Sequence, residues 1–502
     1  AVFPLLFAWG CAAALWALWG GWVALGGPLK ANPLVKPVAW AWLVVGLISS
    51  GLGLLQFFGA AGALEPWANQ SSLGEAFANL RQRNQFATLT NIALAALLWV
   101  AGSVPAAPKH VQTKRWLTLQ CLPAVMLLLA AGLLGLGNAA SSSRTGLVQM
   151  LLLVSLCGPW GLWSKASTDA CARLWATPKR LLMVALTAYV LGLILLPYLA
   201  GFDWHALGLF ARLRAGDELC VSRTTLWANV LHLISLKPWL GWGWGELDFA
   251  HYNTLYSGPR FCDILDNAHN LPLQLAVELG VPVAVLVCGG FALWALRQRP
   301  WAEAQPARQL AWGVVAVILL HSLLEYPLWY GPFQMALVLC LGYLHASRVP
   351  KDALKPILRT NNARAGVLHA CAATFLIVCV VYASHDYRRI SQIYLAPEVR
   401  DEALKDDTLT KLRGSWLFAS QVQFAELMLT PLTPANAQWT FDTATSQLHY
   451  SPEPRVIEKA IESAVMLGRD DVALQHLARY KAAFAADHAR WALNNRKTIT
   501  GP

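Results

Sequence analysis

Long uncharged apolar runs alternate with short polar connections over the first 384 residues. A helix that crosses the hydrocarbon core of a bilayer needs about 20 predominantly apolar residues. On this criterion we assign ten transmembrane helices, although the stretch 310–346, interrupted at Pro327 and Pro332, is also compatible with one broken hairpin. The ten runs are 2–25, 37–58, 87–102, 117–136, 146–163, 181–200, 271–296, 310–328, 332–346 and 367–384.

Two longer segments differ from these runs. Residues 201–270 form a long polar connection, and residues 385–502 form a charged tail whose apolar side chains recur at helical spacing between Val456 and Val465. The pattern therefore predicts an all-α, polytopic membrane protein. We divide it into a transmembrane domain over 1–384, with 201–270 as a large loop within it, and a small helical C-terminal domain over 385–502.

The composition excludes a soluble protein of this length. Of 502 residues, 56% are apolar and 13% are charged, whereas an average globular chain has about 25% charged residues. In membrane proteins Lys and Arg concentrate in the cytoplasmic connections. The formal net charge of +11 is therefore interpreted as a topology signal and not as a sign of nucleic-acid binding.

The basic residues are unevenly distributed between the connections. The odd-numbered connections carry 17 Lys and Arg residues and the even-numbered ones carry 8, so the odd-numbered ones are expected in the cytoplasm. The loop 201–270, the tail and residue 1 then lie on the outer side. Because the chain begins with Ala1 and an outward N-terminus is unusual without a cleavable signal, we expect a preceding span, giving 11 or 12 in the intact protein.

Cysteine usage agrees with this topology. Of ten cysteines, seven lie in the predicted spans and Cys171 lies in a cytoplasmic connection, which leaves Cys220 and Cys262 on the outer side. An oxidising compartment permits a disulfide between these two. The alternative is two unrelated thiols in one long loop.

Polar residues at the mouths of membrane spans are candidates for function because they are costly there. His269 lies just before the predicted start of the seventh span, where Pro272 suits the first turn of a helix. The positive end of that helix attracts phosphate oxygens and favours a neutral imidazole that can act as a base. Gln274 and Glu278 follow on one face. The alternative is that His269 is merely an interfacial polar residue that caps this helix.

A second group is basic and faces outward. Arg144 occupies a very short outward connection, and Arg223 begins an amphipathic stretch of the long loop. Because the planar fork of arginine holds phosphate oxygens, these residues suggest a lipid-linked phosphate or pyrophosphate. They could instead contact ordinary anionic headgroups. Trp239, Trp242 and Trp244, among glycines, fit interface anchors or a surface on which a sugar stacks.

A third group lies at the outer ends of the third and eighth predicted spans. Buried Glu and Tyr residues commonly satisfy each other, so a purely architectural role is equally compatible with this pattern. Its members are Gln82, Asn84, Gln85, His321, Glu325, Tyr326 and Tyr330.

The sequence also lacks several motifs. It contains no Gly-rich phosphate loop of the nucleotide-hydrolase type, no Cys/His zinc spacing and no Gly-x-Ser-x-Gly elbow. Asp263 and Asp266 lack the close pairing of nucleotide-sugar enzymes that hold a metal. A donor that is already activated by a lipid pyrophosphate needs no nucleotide, so these absences are compatible with such a donor.

The segment around His269 resembles a known superfamily. Residues 267–280 read Asn-Ala-His-Asn-Leu-Pro-Leu-Gln-Leu-Ala-Val-Glu-Leu-Gly, and the loop before them contains Arg223 and the Gly-Trp-Gly-Trp-Gly of 241–245. This arrangement is similar to that of the O-antigen ligase and polymerase superfamily (WaaL, Wzy, PglL).

Three further stretches, 81–88, 141–146 and 321–330, resemble the PglL-type O-linked oligosaccharyltransferases in particular. The resemblance covers most of 80–345, and the tail resembles the extra C-terminal domain of such ligases. The Pro-x-His and Pro-Trp motif that this family carries near its N-terminus is not found before Gln82, which fits the expected missing span.

The resemblance implies transfer of a glycan from undecaprenyl pyrophosphate to a Ser/Thr hydroxyl of a periplasmic protein such as pilin. It implies a bacterial inner-membrane enzyme with a periplasmic active site and no metal. His269 would act as the base, and Arg144 and Arg223 would hold the pyrophosphate. The positioning residues would be Gln82, Asn84, Gln85, Asn270, Glu325, Tyr326 and Tyr330, where Gln82 or Gln85 and Tyr326 or Tyr330 correspond to family positions tied to activity.

Because no carboxylate nucleophile is evident, we predict direct displacement with inversion at the anomeric carbon. A near alternative is an O-antigen ligase or polymerase, which shares the donor and differs in acceptor. A more distant one is a transporter of the lipid-linked glycan, which would carry charges midway through its spans and show internal repeats. The polar groups gather on one face instead, which favours an enzyme.

Overall fold

The computed structural model describes residues 2–24, 32–65, 68, 70–80, 82–103, 114–161, 177–215, 219–347 and 355–500. Within these ranges all regular structure is helical, which confirms the predicted all-α class. Arg81 and the predicted cytoplasmic connections 104–113 and 162–176, with Cys171, lie outside them.

The helices follow the predicted runs closely in the first part of the chain. They are α1 (Val2–Ala24), α2 (Asn32–Phe57), α3 (Arg83–Ser103), α4 (Lys114–Ala140), α5 (Arg144–Cys157), α6 (Pro178–Leu199), α7 (Gly208–Ala215), α8 (Arg223–Leu236), α9 (Leu247–Asn253) and α10 (Leu271–Leu279).

The second part contains further apolar helices and then the helices of the tail. They are α11 (Val281–Ala284), joined by a π-helical turn to α12 (Gly290–Gln298), α13 (Pro306–Ser322), α14 (Gly331–Ala346), α15 (Lys355–Ser391), α16 (Thr408–Leu412), α17 (Ala419–Leu429), α18 (Ala437–Gln447), α19 (Pro454–Met466), α20 (Asp470–Ala483) and α21 (Ala485–Thr500).

Several of these helices are long and apolar enough to cross a membrane, which confirms a polytopic membrane protein. In the described ranges six segments meet this criterion: Leu34–Phe57, Arg83–Gly102, Leu122–Ala140, Pro178–Leu199, Val281–Ala302 and Gly366–Tyr394. Shorter apolar helices occupy Leu5–Leu18, Arg144–Cys157 and Gly331–His345. The side of the membrane on which each connection lies stays a prediction.

The predicted seventh span, 271–296, is not one helix. Its predicted start at residue 271 is wrong. α10 ends before Gly280, whose φ is +89° and ψ is 158°, and the apolar segment that can span starts at Val281. A Cβ atom at Gly280 would lie 2.1 Å from the carbonyl oxygen of Trp239. Only glycine accepts both this φ and this close approach.

A crossing of two backbone segments causes this break. The amides of Trp242 and Gly243 donate to the carbonyl oxygens of Val277 and Glu278 at 2.9 and 3.0 Å. A Cβ atom at Gly241 would lie 2.3 Å from the carbonyl oxygen of Glu278. The glycine-rich segment 241–245 therefore holds the end of α10 away from the span that follows.

The chain divides into two compact units. One contains residues 20–216 and 292–367, and the other contains residues 1–19, 217–291 and 368–502. The predicted transmembrane domain over 1–384 and C-terminal domain over 385–502 are assigned from the transmembrane runs and the charged tail. They stay a prediction.

In the first of these units the helices approach closely at small residues. A Cβ atom at Gly135 of α4 would lie 2.2 Å from the carbonyl oxygen of Ala185 on α6. A Cβ atom at Gly46 of α2 would lie equally close to the Cβ atom of Ala93 on α3. Such contacts are typical of helix packing in a bilayer, where small residues allow close van der Waals contact.

In the other unit the tail helices enclose a side chain of the long loop. Tyr252 of α9 is 2% exposed and belongs to the same apolar core as Leu448, Val456 and Ile461 of the tail. Its hydroxyl group lies 2.8 Å from Nδ1 of His476. The loop helix α9 is thus an integral part of the core of the tail.

This packing generates a stability prediction. Tyr252→Ala should cost about 3–5 kcal/mol, as expected for truncating a buried aromatic side chain, and should lower the melting temperature of the detergent-purified protein. Tyr252→Phe, which removes only the hydroxyl group, should cost about 1–3 kcal/mol because a buried polar partner is left unpaired. Tyr450→Ala, at a more exposed tyrosine of the tail, is the control. Equal losses for the two alanine variants would contradict the packing described.

Candidate active site

A polar cluster joins three elements in the unit that contains α3, α5 and α13. The Oδ1 atom of Asn84 accepts a hydrogen bond from the hydroxyl group of Ser143 at 2.7 Å. The Nδ2 group of Asn84 donates to Oε1 of Glu325 at 3.4 Å. Asn84 of α3 therefore lies between the N-terminus of α5 and the segment after α13, and the structure brings the predicted residues Asn84 and Glu325 together.

A buried hydrogen-bond network lies below this cluster. The hydroxyl group of Thr88 lies 2.8 Å from Nδ1 of His321 and accepts from Nε2 of Gln149 at 2.8 Å. The Nδ2 group of Asn91 donates to Oε1 of Gln149 at 3.2 Å and to the carbonyl oxygen of Gly146 at 3.1 Å. All these side chains are fully buried, so the network fixes α3, α5 and α13 to each other.

The sequence interpretation missed Thr88, Asn91 and Gln149. A signal was present, because Asn84, Thr88 and Asn91 follow at helical spacing along one face of an otherwise apolar run. Polar residues inside a span are expensive and rarely lie there without partners. Their partners on α5 and α13 could be known only from the tertiary structure.

Arg144 is the first residue of α5 and is exposed. Ser143 caps the helix by accepting a hydrogen bond from the amide of Gly146 at 3.0 Å. Before it, Ser142 has a φ of +54°, and its carbonyl oxygen accepts from the Arg212 guanidinium at 2.9 Å. This places the Arg212 guanidinium group beside the N-terminus of α5, an arrangement that suits an anion.

The other predicted residues of this unit lie near the same helix ends. Gln82 is half-buried just before α3, and Gln85 is buried within its first turn. Tyr326 and Tyr330 flank the short turn Pro327–Trp329, and their rings are stacked with centroids 6.0 Å apart. The assignment of Gln82 or Gln85, and of Tyr326 or Tyr330, to the family positions tied to activity stays a prediction.

His269 lies just before a helix N-terminus, as the sequence predicted. Its amide donates to Oδ1 of Asn267 at 2.8 Å, and Asn270 caps α10 by accepting from the amide of Leu273 at 3.1 Å. The amide of Ala268 donates to Oε1 of Gln274 at 2.6 Å. His269 has a φ of +49°, an uncommon value for a residue other than glycine that neighbouring hydrogen bonds must hold.

Arg223 is the first residue of α8, and Ser222 caps this helix by accepting from the amide of Thr225 at 3.2 Å. One turn later, the indole N–H of Trp227 donates to the carbonyl oxygen of Ala268 at 3.0 Å. Since residues four apart share a face of a helix, α8 presents Arg223 and Trp227 on the same side as the His269 segment.

The start of α8 is also tied to the rest of the loop. Cys220 and Cys262 form a disulfide with their Cα atoms 5.3 Å apart. The Nδ2 group of Asn229 donates to the carbonyl oxygen of Pro259 at 3.0 Å, and its Oδ1 accepts from the amide of Phe261 at 2.8 Å. Covalent and hydrogen bonds together fix α8 against the segment that leads to His269.

Glu278 supports the glycine-rich segment. Its buried carboxylate accepts from the amide of Gly245 at 2.9 Å, and burial raises the pKa of this carboxyl group. Trp242 is partly buried and donates to the carbonyl oxygen of Leu233 at 3.0 Å, and its role as an interface anchor or a stacking surface for a sugar stays a prediction. Trp239 and Trp244 are exposed and retain that interpretation.

The predicted residues fall into two groups, one in each unit. Gln82, Asn84, Gln85, Arg144, Glu325, Tyr326 and Tyr330 lie in one, and Cys220, Arg223, Cys262, His269 and Asn270 lie in the other. Over the described parts of the chain, no three His, Cys, Asp or Glu side chains converge as metal ligands.

Three family descriptions match successive parts of the chain. Residues 76–100 match "Protein glycosylation ligase", residues 128–288 match "O-Antigen ligase", and residues 309–498 match "Virulence factor membrane-bound polymerase, C-terminal". Asn84 falls in the first match and His269 falls in the second. The predicted family resemblance is confirmed. Glu325 and the tail fall in the third match.

Two curated relatives come from Acinetobacter baylyi. The general O-oligosaccharyltransferase is 28% identical over 142 residues, which cover 28% of this chain and 24% of that protein. The ComP-specific O-oligosaccharyltransferase is 23% identical over 318 residues, which cover 63% of this chain and 52% of that protein. The chain thus spans about half the length of these relatives or less. No solved structure matches the chain.

A prediction concerns Asp248 of α9, which is partly buried. Burial, opposed by the hydrogen bond from the amide of Phe249, raises the pKa of this carboxyl group from 3.8 to about 7. Because the raised pKa favours the protonated folded form, stability should fall as the pH rises from about 4 to 7. Asp248→Asn should remove this dependence and be more stable than the parent at pH 8, measured by thermal unfolding.

Asp263→Asn, at an exposed carboxylate of the same loop, is the matched control and should keep the pH dependence of the parent. An Asp248→Asn variant that loses stability between pH 5 and 8 as the parent does would show that Asp248 is not the group responsible.

Proposed function

We propose that the chain is an O-linked oligosaccharyltransferase that moves a glycan from undecaprenyl pyrophosphate to a Ser/Thr hydroxyl group of a periplasmic protein such as pilin. The observation that carries the proposal is the pair of arginines at capped helix starts, in a chain similar to O-oligosaccharyltransferases. We place the enzyme in the bacterial inner membrane with its site toward the periplasm, and we assign it no cofactor and no metal.

Arg144 and Arg223 have the same local geometry, which supports a common role. Each is the first residue of a helix, and each follows a serine, Ser143 or Ser222, that caps the helix. The backbone amides of the first turn of a helix and a guanidinium group can both donate to phosphate oxygens. Stabilisation of the developing pyrophosphate charge by such preorganised donors is the largest expected contribution to catalysis.

His269 would receive the proton of the acceptor. In the step we propose, the acceptor hydroxyl oxygen attacks the anomeric carbon while the bond from that carbon to the pyrophosphate oxygen breaks. The hydroxyl proton passes to the imidazole, and the pyrophosphate leaves with the bonding electron pair. The result is inversion at the anomeric carbon. The capped backbone around His269 supports this role, because it holds the residue at the positive end of α10.

Asn84, Asn270 and Glu325 would position the donor or the acceptor, together with Gln82 or Gln85 and Tyr326 or Tyr330. The hydrogen bonds from Ser143 to Asn84 and from Asn84 to Glu325 support this role, because they present amide and carboxylate groups beside Arg144. Carboxylate and amide groups are suited to hydrogen bonds with sugar hydroxyl groups.

A second candidate function is an O-antigen ligase or polymerase with a lipid-linked glycan as acceptor. Two observations favour it: residues 128–288 match "O-Antigen ligase", and residues 309–498 match the C-terminal part of a membrane-bound polymerase. The donor and the transfer step would be the same, so the two functions differ only in the molecule that supplies the hydroxyl group.

The acceptor can be identified by one experiment in cells with and without this protein. We expect the intact mass of a co-expressed pilin to rise by the mass of the glycan, while the lipopolysaccharide pattern on a gel stays unchanged. An unchanged pilin mass with an altered lipopolysaccharide pattern would select the lipid ligase or polymerase instead.

The role of His269 generates a further prediction. Because a general base contributes on the order of 10²–10⁴ in rate, His269→Ala should insert into the membrane normally and lose most of its glycan transfer, measured from the mass of the acceptor. His232→Ala, at an exposed histidine of α8, is the control and should keep activity. Normal transfer by the His269 variant would exclude the proposed base.

A further inference from the structure

The last apolar run ends at a small polar collar. α15 contains the candidate span Gly366–Tyr394, and its uncharged run ends at Ser384. The chain leaves the helix and returns toward it in residues 395–418, which we call the collar. Two short helical turns and α16 lie within the collar.

One face of the last turns of α15 holds the collar. Asp386 is the first acidic residue after the apolar run, and its side chain is almost fully buried. Its Oδ2 atom accepts from the hydroxyl group of Ser415 at 2.8 Å and from the amide of Leu417 at 3.2 Å. One turn further, Ile390 packs in a core with Leu412 of the collar. The end of the collar is therefore fixed to the helix.

These contacts carry Trp416 back toward the apolar run. Its ring lies against that of Tyr382, with centroids 6.4 Å apart. Tyr382 precedes Asp386 by four residues, which is about 6 Å along a helix axis. Trp416 thus lies at the level of the last turn of the apolar run, although it follows Tyr382 by 34 residues in sequence.

The side chains at this level are exposed and apolar. Trp416 is 76% exposed and the neighbouring Leu417 is 44% exposed. Val378 and Val381, on the adjacent part of α15, are also exposed and belong to the segment that can cross the membrane. The exposed apolar surface is therefore continuous from the span to the tip of the collar.

Electrostatic attraction to anionic lipids does not account for this exposed apolar surface. Residues 395–418 contain four basic and five acidic side chains, so the collar has no net positive charge with which to attract anionic headgroups. Tryptophan prefers the boundary between hydrocarbon and headgroups, where its ring is apolar and its N–H group can meet polar atoms.

We propose that the tip of the collar, Trp416 and Leu417, docks into the lipid bilayer at the boundary where α15 leaves it. The partner is the phospholipid of that leaflet, bound through apolar burial with the aromatic ring at headgroup depth. Asp386 is the positioning residue that holds the tip at this height. This proposal is independent of the reaction that the protein catalyses.

The test places the photo-crosslinking residue p-benzoylphenylalanine at position 416 of the full chain in native membranes. After irradiation we expect an adduct with phospholipid, detected by mass spectrometry. The matched control has the same residue at position 474, because Leu474 is an apolar side chain of the tail that is 64% exposed. That position should give no lipid adduct. Phospholipid adducts at both positions, or at neither, would overturn the proposal.

Two further measurements test whether apolar burial and Asp386 account for the lipid adduct at position 416. The adduct at position 416 should persist at high salt, because apolar burial is not screened as surface charge is, and loss of the adduct would indicate electrostatic binding instead. Adding Asp386→Ala, which removes the acceptor of both hydrogen bonds, should remove most of the adduct, whereas an unchanged yield would show that Asp386 does not position the tip. A crosslink to a protein in place of lipid would also overturn the proposal.

Discussion

The crossing of two backbone segments at Gly241 and Gly280 determines how the loop presents His269. Because neither position has room for a Cβ atom, α10 must end at Gly280 and the spanning segment must start anew at Val281. α10 is therefore a short helix held by the loop and not the outer end of a span. The carboxylate of Glu278 strengthens this arrangement by binding the amide of Gly245.

A second constraint comes from the apolar surroundings of α3, α5 and α13. Without water, each polar group in such a bundle has to find a partner inside the protein. Thr88, Asn91, Gln149 and His321 are joined by hydrogen bonds that connect the three helices. Asn84 lies one helical turn before Thr88 and forms hydrogen bonds with Ser143 and Glu325. The polar residues that the sequence places at the span ends are thus adjacent to this buried hydrogen-bond network, which orients them.

Several features could be predicted because they depend on local sequence. Apolar run length predicts the helices, and Pro272 predicts the helix start beside His269. The break at Gly280 was missed because hydropathy is continuous from Leu271 to Leu296, although Gly280 followed by Pro282 was a visible signal. Local patterns say which residues favour a helix, but not which backbones approach within contact distance.

Contacts between segments that are far apart in the sequence leave no such local signal. Tyr252 and His476 are 224 residues apart in sequence and share one hydrogen bond in the core of the tail. The tail shows helical spacing, but nothing in that spacing reveals that its core is completed by a residue of the loop. The same holds for Glu246, which binds His449 of the tail at 2.7 Å. Only the tertiary structure shows that loop and tail fold together.

The disulfide between Cys220 and Cys262 has a consequence for the biogenesis of the protein. It closes a segment of 42 residues that includes α8 and both hydrogen-bond partners of Asn229. Such a cross-link limits the freedom of the unfolded segment before its weaker contacts form. Assembly of the loop around Arg223 is therefore coupled to thiol oxidation.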